Sequence, residues 1–223
     1  MNITENYLKI KNSIPSNITI VIAAKRRSKE EILEIIKAGA TDIGYNYVQE
    51  AEKMKEELGE NAKKLKWHLI GHLQSGKVNQ ALDIFDIIQT IDSYKIASAI
   101  NKRTTKVIPV LIEINIAKES QKSGVFPENT EKLIRDISTL PNIKVEGIMT
   151  IGSLSQDINK IKNYFKETKQ LFDNISKMNI PNVEMKTLSM GMSDSYNIAI
   201  EEGATIIRPG TCIFGKRIIK EKK

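Results

Sequence analysis

Short apolar runs alternate with amphipathic segments along almost the whole of this 223-residue chain. The apolar runs have the length and composition of buried strands, and the segments between them have the period of helices. The pattern predicts eight strands, with the sequences ITIVIAAK, TDIGYN, KWHLIGH, DIIQTID, VIPVLIEINI, KVEGIMTIG, VEMKTLSM and TIIRPG. It predicts seven intervening helices, over residues 28–38, 48–64, from 76 onward, 93–102, 127–139, 157–178 and 194–201, and one helix before the first strand.

This alternation is typical of the α/β class, in which parallel strands are joined by right-handed helical crossovers. Eight such units match a single (β/α)8 barrel of the TIM type with an extra N-terminal helix, because its strand count is met without a remainder. An open, doubly wound sheet is the alternative. No linker rich in glycine, serine or proline divides the chain, so we expect one domain over residues 1–223.

Composition narrows the compartment and the partners. Cys212 is the single cysteine, which favours the reducing cytoplasm, and no apolar run is long enough to cross a membrane. The N-terminal segment MNITENYLKIKNSIP has charges throughout and does not resemble a signal peptide. The net charge of +7 comes from lysines that alternate with glutamates along helices, so we expect no nucleic-acid partner.

Polar residues follow the predicted strands where catalytic and binding residues of such barrels lie, at the carboxyl ends. This arrangement predicts a lined pocket at that face. The strand-end residues are Lys25, Asn46, Tyr47, His72, Asp92, Asn115, Thr150, Ser189, Arg208 and Gly210.

Lys25 is the candidate nucleophile. It ends the apolar strand ITIVIAAK, so its amine is expected to project into the barrel mouth. Apolar surroundings and neighbouring cations favour a neutral amine, which Schiff-base formation requires. A lysine that only extends past a strand end is the alternative.

Two loops are candidates for binding a phosphate group. The sequence Ser189-Met190-Gly191-Met192-Ser193 follows the seventh strand, and Gly210 and Thr211 follow the eighth. These positions commonly bind phosphate in such barrels, through backbone N–H groups. Gly191 permits close approach of the backbone, and the hydroxyls of Ser189 and Ser193 add donors. An ordinary capped turn is the alternative.

Arg208 is predicted to lie beside the phosphate and to reach inward. A guanidinium is only a donor, so beside a pyridine nitrogen it would keep that nitrogen unprotonated. The ring would then be a weaker electron sink. A surface ion-pair arginine is the alternative reading.

Other candidates are weaker. His68 and His72 are four residues apart, but without a further ligand at suitable spacing we expect no metal site, and His68 is expected to line the barrel interior. Asn46 could donate to a phenolic oxygen of a ligand ring, and Met149 and Tyr47 could form pocket walls. Plain packing is the alternative for each.

Several motifs together resemble the pyridoxal-phosphate homeostasis protein family, which is related in fold to the N-terminal domain of alanine racemase. The resemblance runs from about residue 21 to residue 217. It implies pyridoxal 5′-phosphate (PLP) bound as a Schiff base to Lys25, with Arg208 beside the pyridine nitrogen. Phosphate is implied at residues 189–193 and 210–211. The motifs are AAK, GYNYVQEA, WHLIGHLQSGK, TIDS, EINIAKESQKSG, GIMTI, LSMGMSDSY and GATIIRPGTCIFGKR.

Three positions depart from the family pattern. Tyr45 replaces a glutamate, Gly76 replaces an asparagine, and Pro209 replaces an aliphatic residue. Tyr45 could alter hydrogen bonding around the second loop. Pro209 removes one backbone donor near the predicted phosphate.

The sequence therefore predicts a PLP carrier that buffers or delivers the cofactor, with recipient PLP enzymes as candidate partners, as a monomer without catalytic turnover. A PLP-dependent amino-acid racemase is the alternative, with Tyr45 as the first candidate for its second base. In the alanine racemases that base is a tyrosine from a partner subunit's additional domain. Only IIKEKK follows Arg217, so we expect that domain to be absent here.

Overall fold

Eight parallel strands form a closed barrel in the computed structural model, which describes residues 2–152 and 157–215. The strands follow one another around the barrel in chain order. The predicted α/β barrel is therefore confirmed, and the open sheet is excluded. The strands are β1 Thr19–Ala23, β2 Asp42–Tyr45, β3 Lys66–Leu69, β4 Ile87–Ile91, β5 Ile108–Glu113, β6 Ile143–Met149, β7 Val183–Ser189 and β8 Ile206–Ile207.

The predicted helices surround the barrel, with the extra helix before β1. Nine α-helices lie in the described residues, the last of which was not predicted because it is only four residues long. They are α1 Ile3–Ser13, α2 Lys29–Lys37, α3 Val48–Leu58, α4 Val78–Ile84, α5 Tyr94–Asn101, α6 Pro127–Ser138, α7 Ile158–Ser176, α8 Tyr196–Glu201 and α9 Thr211–Phe214. None of them is long and apolar enough to cross a membrane.

Local sequence signals fix where the helices begin and end. Ser28 caps α2 in a capping box with Glu31, and α6 begins at Pro127, whose missing N–H costs nothing in the first turn. The helix predicted over residues 48–64 is interrupted at Gly59, whose φ of 53° ends α3, and a 3₁₀ helix follows over Gly59–Lys64.

The strands are shorter than their apolar runs, which changes the position of the site. The strand β1 ends at Ala23, so Lys25 lies two residues beyond it. The strand β8 contains only two residues, and it closes the barrel through Thr19↔Ile206 and Ser189↔Ile206. Arg208 and Gly210 therefore lie in the loop that follows, at the mouth.

Side chains of the strands alternate between two apolar regions. The larger one lies between the strands and the helices, and it includes Tyr45 and Trp67, whose rings stack with centroids 5.7 Å apart. A small separate cluster of Val21, Ile70 and Ile206 lies inside the barrel. Polar side chains also lie in this interior, and some of them belong to the candidate site.

Candidate cofactor-binding site

Lys25 lies at the barrel mouth in contact with Tyr47. Its Nζ is 3.4 Å from the Tyr47 hydroxyl and 4.8 Å from the centre of that ring. Lys25 is partly exposed, and Tyr47 is 54% exposed, so the amine is accessible from solvent. The N–H of Ala23 donates to the carbonyl of Pro209, which places the end of β1 beside the loop after β8.

Ser193 joins the two predicted phosphate loops. Its Oγ accepts hydrogen bonds from the N–H of Gly210 at 3.0 Å and of Cys212 at 3.2 Å. The N–H of Arg208 donates to the carbonyl of Gly191 at 2.9 Å, so a second contact links the same loops. The structure therefore brings together Gly191, Ser193, Arg208 and Gly210, as the sequence predicted.

Several backbone donors of these loops have no acceptor among the described residues. Within residues 2–152 and 157–215, no hydrogen bond satisfies the N–H groups of Gly191, Ser193 and Thr211. In contrast, the N–H of Met190 donates to Ile206, and that of Met192 donates to Ser195. Such N–H groups on adjoining loops can donate hydrogen bonds to the oxygens of a phosphate group.

Arg208 is almost completely buried, and its guanidinium is held by two hydrogen bonds. Nη1 donates to Ser189 Oγ at 2.6 Å, and Nη2 donates to the carbonyl of Thr150 at 2.7 Å. Burial lowers the pKa of Arg208 to about 10, while the nearby carboxyl of Glu113 acts to raise it. Arg208 therefore remains a cation at neutral pH, with donors left for a ligand.

Ser189 and His68 lie deeper than the mouth. Ser189 Oγ donates to Gln89 Oε1 at 2.7 Å, and Gln89 Nε2 lies 2.9 Å from His68 Nδ1. His68 is 1% exposed and lines the barrel interior, as expected. Because the Ser189 hydroxyl already donates to Gln89, its predicted donation to phosphate would require that bond to be exchanged.

Asn46 is half-buried and lines two cavities at the mouth, of about 190 and 380 Å³, that also share Gly71 and His72. Neither cavity includes Lys25 or the predicted phosphate loops. Tyr47 borders the larger cavity and contacts Lys25, and Thr150 borders the smaller one and binds Arg208. The cavities therefore adjoin the cluster of predicted residues.

Met149 and Met190 are completely buried. Met149 ends β6 between its neighbours Glu113 and Ser189 in the sheet, and it is not among the residues that line either cavity. Met190 packs in the larger apolar region between strands and helices. A contact of either side chain with a ligand stays a prediction.

The structure corrects the position of Tyr45. Its side chain is completely buried against Trp67, and burial raises the pKa of its hydroxyl. A Cβ added at Gly44 would contact Val21 and Ile70 inside the barrel, so position 44 faces inward. Because side chains alternate along a strand, Tyr45 faces outward from β2. Tyr45 is therefore not beside the pocket, and it is not placed to act as a second base.

The other departures have small local effects. Gly76 is exposed, and a Cβ there would meet nothing within 4 Å. Pro209 is buried, and its carbonyl still accepts a hydrogen bond from Ala23.

No group of three or more metal-ligating side chains occurs in the part of the chain that the structure describes.

Glu113 is a residue of the mouth that sequence reasoning missed. It ends β5, is 3% exposed, lines the smaller cavity, and its Oε2 has no hydrogen-bond partner among the described residues. Burial, and to a lesser extent Asp92, raise the pKa of Glu113 to about 7, against the opposing effect of Arg208. A single glutamate in the apolar run VIPVLIEINI was the available signal.

Replacing Glu113 with glutamine is expected to stabilise the protein at high pH. Its pKa rises from 4.5 to about 7 on folding, so the folded state binds more protons and the free energy of unfolding falls as pH rises between these values. Glu113→Gln removes this loss, which corresponds to roughly 3 kcal/mol above pH 7. Urea denaturation of both proteins between pH 4.5 and 8 measures it.

Glu167→Gln, at an exposed position of α7, is the control and is expected to leave the pH profile unchanged. Parallel profiles for the wild-type and Glu113→Gln proteins would contradict the interpretation that burial raises the pKa of Glu113.

A family model described as the N-terminal domain of alanine racemase matches residues 1–217. The pyridoxal phosphate homeostasis protein of Haemophilus influenzae is 37% identical over 216 residues, which cover 96% of this chain and 91% of the relative. The protein of that name from Aquifex aeolicus is 40% identical over 198 residues, which cover 87% of this chain and 85% of the relative.

Solved structures are similar over almost the whole chain. PipY of Synechococcus elongatus, solved with PLP bound, has a TM-score of 0.87 and 28% identity, with 96% of this chain and all of that chain covered. An alanine racemase of Clostridium difficile has a TM-score of 0.80 at 16% identity, and 57% of that chain is covered, which shows a common fold. By these matches over most of its length, the chain belongs to the family of pyridoxal phosphate homeostasis proteins, within the alanine racemase N-terminal domain family.

Proposed function

We propose that this protein binds PLP as a Schiff base on Lys25 and buffers or delivers the cofactor without turning over a substrate. The observation that carries the proposal is the meeting of three features at one barrel mouth. An accessible amine lies at Lys25, the loops joined by Ser193 have N–H donors without an acceptor in the part of the chain that the structure describes, and Arg208 is a buried cation.

The chemistry of these groups fits PLP. Lys25 supplies the amine that an aldehyde requires. The backbone donors of Gly191, Ser193 and Thr211 suit a phosphate. Arg208 can donate to a pyridine nitrogen but cannot protonate it. When bound, PLP would supply a reactive aldehyde and an electron-withdrawing ring. Relatives named pyridoxal phosphate homeostasis proteins, and PipY with PLP bound, support the same cofactor.

The absence of turnover rests mainly on Arg208. A ring nitrogen that is not protonated stabilises a carbanion poorly, so proton exchange at an amino acid would be slow. Two-base racemisation also requires a second acid or base on the opposite face of the α-carbon. Tyr45 is buried on the outer face of β2, which leaves Tyr47, in contact with the Lys25 amine, as the tyrosine to test for that role.

We further propose that the protein acts as a cytoplasmic monomer and as one domain over residues 1–223. PLP and recipient PLP enzymes would be its partners. Nucleic acid is not favoured, because lysines pair with acidic residues on the same helix, as in Lys53–Glu57 at 3.6 Å and Lys169–Asp173 at 2.6 Å. Such pairs disperse the positive charge.

A direct experiment compares the carrier with the racemase. The purified protein is saturated with PLP, freed of excess cofactor, and scanned for the near-visible absorption band of a Schiff base. It is then incubated with single enantiomers of alanine, serine and lysine, and chirality is followed by chromatography. We expect the band to be present and racemisation to stay far below roughly 1 per second, which is ordinary for an enzyme.

Tyr47 gives this assay its matched variant, since it is the tyrosine in contact with Lys25. Racemisation at an enzymatic rate that Tyr47→Phe or Lys25→Ala abolishes would establish the racemase instead. A protein that shows no absorption band at any PLP concentration would exclude both functions.

A further inference from the structure

A chain of polar side chains crosses the interior of the barrel and ends at Arg208. Asp42 Oδ1 is 2.9 Å from His68 Nε2, and His68 Nδ1 is 2.9 Å from Gln89 Nε2. Gln89 Oε1 is 2.7 Å from Ser189 Oγ, which is 2.6 Å from Arg208 Nη1. The chain begins at the first residue of β2 and passes through β3, β4 and β7, so it connects opposite ends of the barrel.

Each end of this series of side chains sets the direction of the hydrogen bond that it makes. Burial acts to raise the pKa of Asp42, but hydrogen bonds from His68 and Thr41 outweigh it and lower that pKa, so Asp42 is an acceptor. Arg208 can only donate. Ser189 must then accept from Arg208 and donate to Gln89 Oε1.

The orientation of the Gln89 amide also bears on the roles of the two ring nitrogens of His68. With Gln89 Oε1 accepting from Ser189, Gln89 Nε2 faces His68 Nδ1 and can donate to it, and His68 Nε2 faces the Asp42 carboxylate. A cationic imidazole would carry a proton on Nδ1, facing the Gln89 N–H₂ group. That arrangement would break the chain unless the amide turned over.

Packing alone does not explain these residues. Aliphatic side chains usually fill such interiors, as Val21, Ile70 and Ile206 do here. A buried polar group is costly unless its hydrogen bonds are made, so each member restricts the orientation of the next. The last member so restricted is the guanidinium of Arg208, which Thr150 holds from another direction.

We propose that Asp42, His68 and Gln89 are positioning residues, which orient Arg208 through Ser189 before a ligand binds. This inference rests on the proposed function for the ligand, a pyridine nitrogen at Arg208. The hydrogen-bonded chain itself belongs to the protein without cofactor. It can therefore be tested separately.

The first variant is Gln89→Leu, which removes both contacts of Gln89 at similar volume. In the cofactor-free protein, nitrogen-15 NMR is expected to show faster rotation of the Arg208 guanidinium. The His68 signals are expected to differ from those of the wild-type protein. The dissociation constant for PLP is expected to rise roughly ten-fold, the equivalent of one ordinary hydrogen bond.

Gln89→Glu is the conservative variant. Its carboxylate still accepts from Ser189, and its other oxygen requires a proton on His68 Nδ1. We expect a doubly protonated imidazole, wild-type signals for Arg208, and PLP affinity within about three-fold of the wild type. This variant tests the proposal even if Gln89→Leu does not fold.

Thr168→Val is the control for a general loss of stability, because Thr168 is also fully buried, but among the described residues its hydroxyl bonds only to the carbonyl of Tyr164 in α7. It should leave the Arg208 signals unchanged. Wild-type Arg208 signals in Gln89→Leu, or equal effects of Gln89→Leu and Thr168→Val, would overturn the proposal. If the wild type binds no PLP, the proposed function fails, and the cofactor-free signals still decide the role of Gln89.

Discussion

Lys25→Ala is expected to abolish the covalent attachment of PLP. Borohydride reduction of the wild-type protein should fix one pyridoxyl group on the peptide that contains Lys25, and the variant should retain only background label. The reason is geometric as well as chemical, since the Lys25 amine lies at the mouth and the end of its strand is hydrogen-bonded to the loop that follows β8. Peptide mapping by mass spectrometry and the near-visible absorption band measure the effect.

Two further variants separate charge from nucleophilicity. Lys25→Arg keeps a cation over the Tyr47 ring but cannot form a Schiff base, so it should lose the label as Lys25→Ala does. Lys77→Ala removes the lysine that borders the larger cavity and should keep the label. A label found mainly on Lys77, or kept by Lys25→Arg, would show that the wrong amine has been assigned.

The barrel was predictable because each of its units carries its own signal. Apolar runs alternate with amphipathic segments eight times, and caps such as Ser28 mark where a helix begins. Strand ends were less predictable, because hydrogen-bonded pairing decides them. ITIVIAAK predicts a strand through Lys25, whereas pairing with β2 and β8 ends it at Ala23.

The mouth was predictable only in part. The sequence predicted that Ser193, Gly210 and Arg208 lie close together, because all three follow neighbouring strands. It placed Tyr45 beside the pocket, which is wrong, because alternation along β2 directs Tyr45 outward onto Trp67. A shift of one residue along the strand would exchange its inward and outward side chains, and no local sequence pattern determines which residues of β2 face inward.

The sequence could not predict which side chains form hydrogen bonds with one another across the barrel interior. Gln89 and Ser189 are 100 positions apart, yet their side chains bond at 2.7 Å. A single glutamine in DIIQTID indicates a buried polar residue, but its partner depends on barrel closure. Glu113 is similar, because its raised pKa comes from burial and from Asp92, on another strand's end.

Pyridoxal is expected to bind at least about 100-fold more weakly than PLP, because the two vitamers differ only in the phosphate. A hydrogen bond to a charged group contributes roughly 1.5–3 kcal/mol, so two of the N–H groups of Gly191, Ser193 and Thr211 would account for that ratio. Parallel titrations followed by absorption or fluorescence give both dissociation constants.

Gly191→Ala tests whether the loop after β7 causes the difference. Gly191 has a φ of 91°, and a Cβ there would lie 2.6 Å from the Cβ of Ala199, so the loop must shift. We expect the variant to lose PLP affinity and keep its weak pyridoxal affinity, which narrows the ratio. Gly59→Ala is the matched control, since Gly59 has a φ of 53° with nothing within 4 Å of its Cβ. Equal affinity for the two vitamers in the wild type would mean that residues 189–193 form only a capped turn.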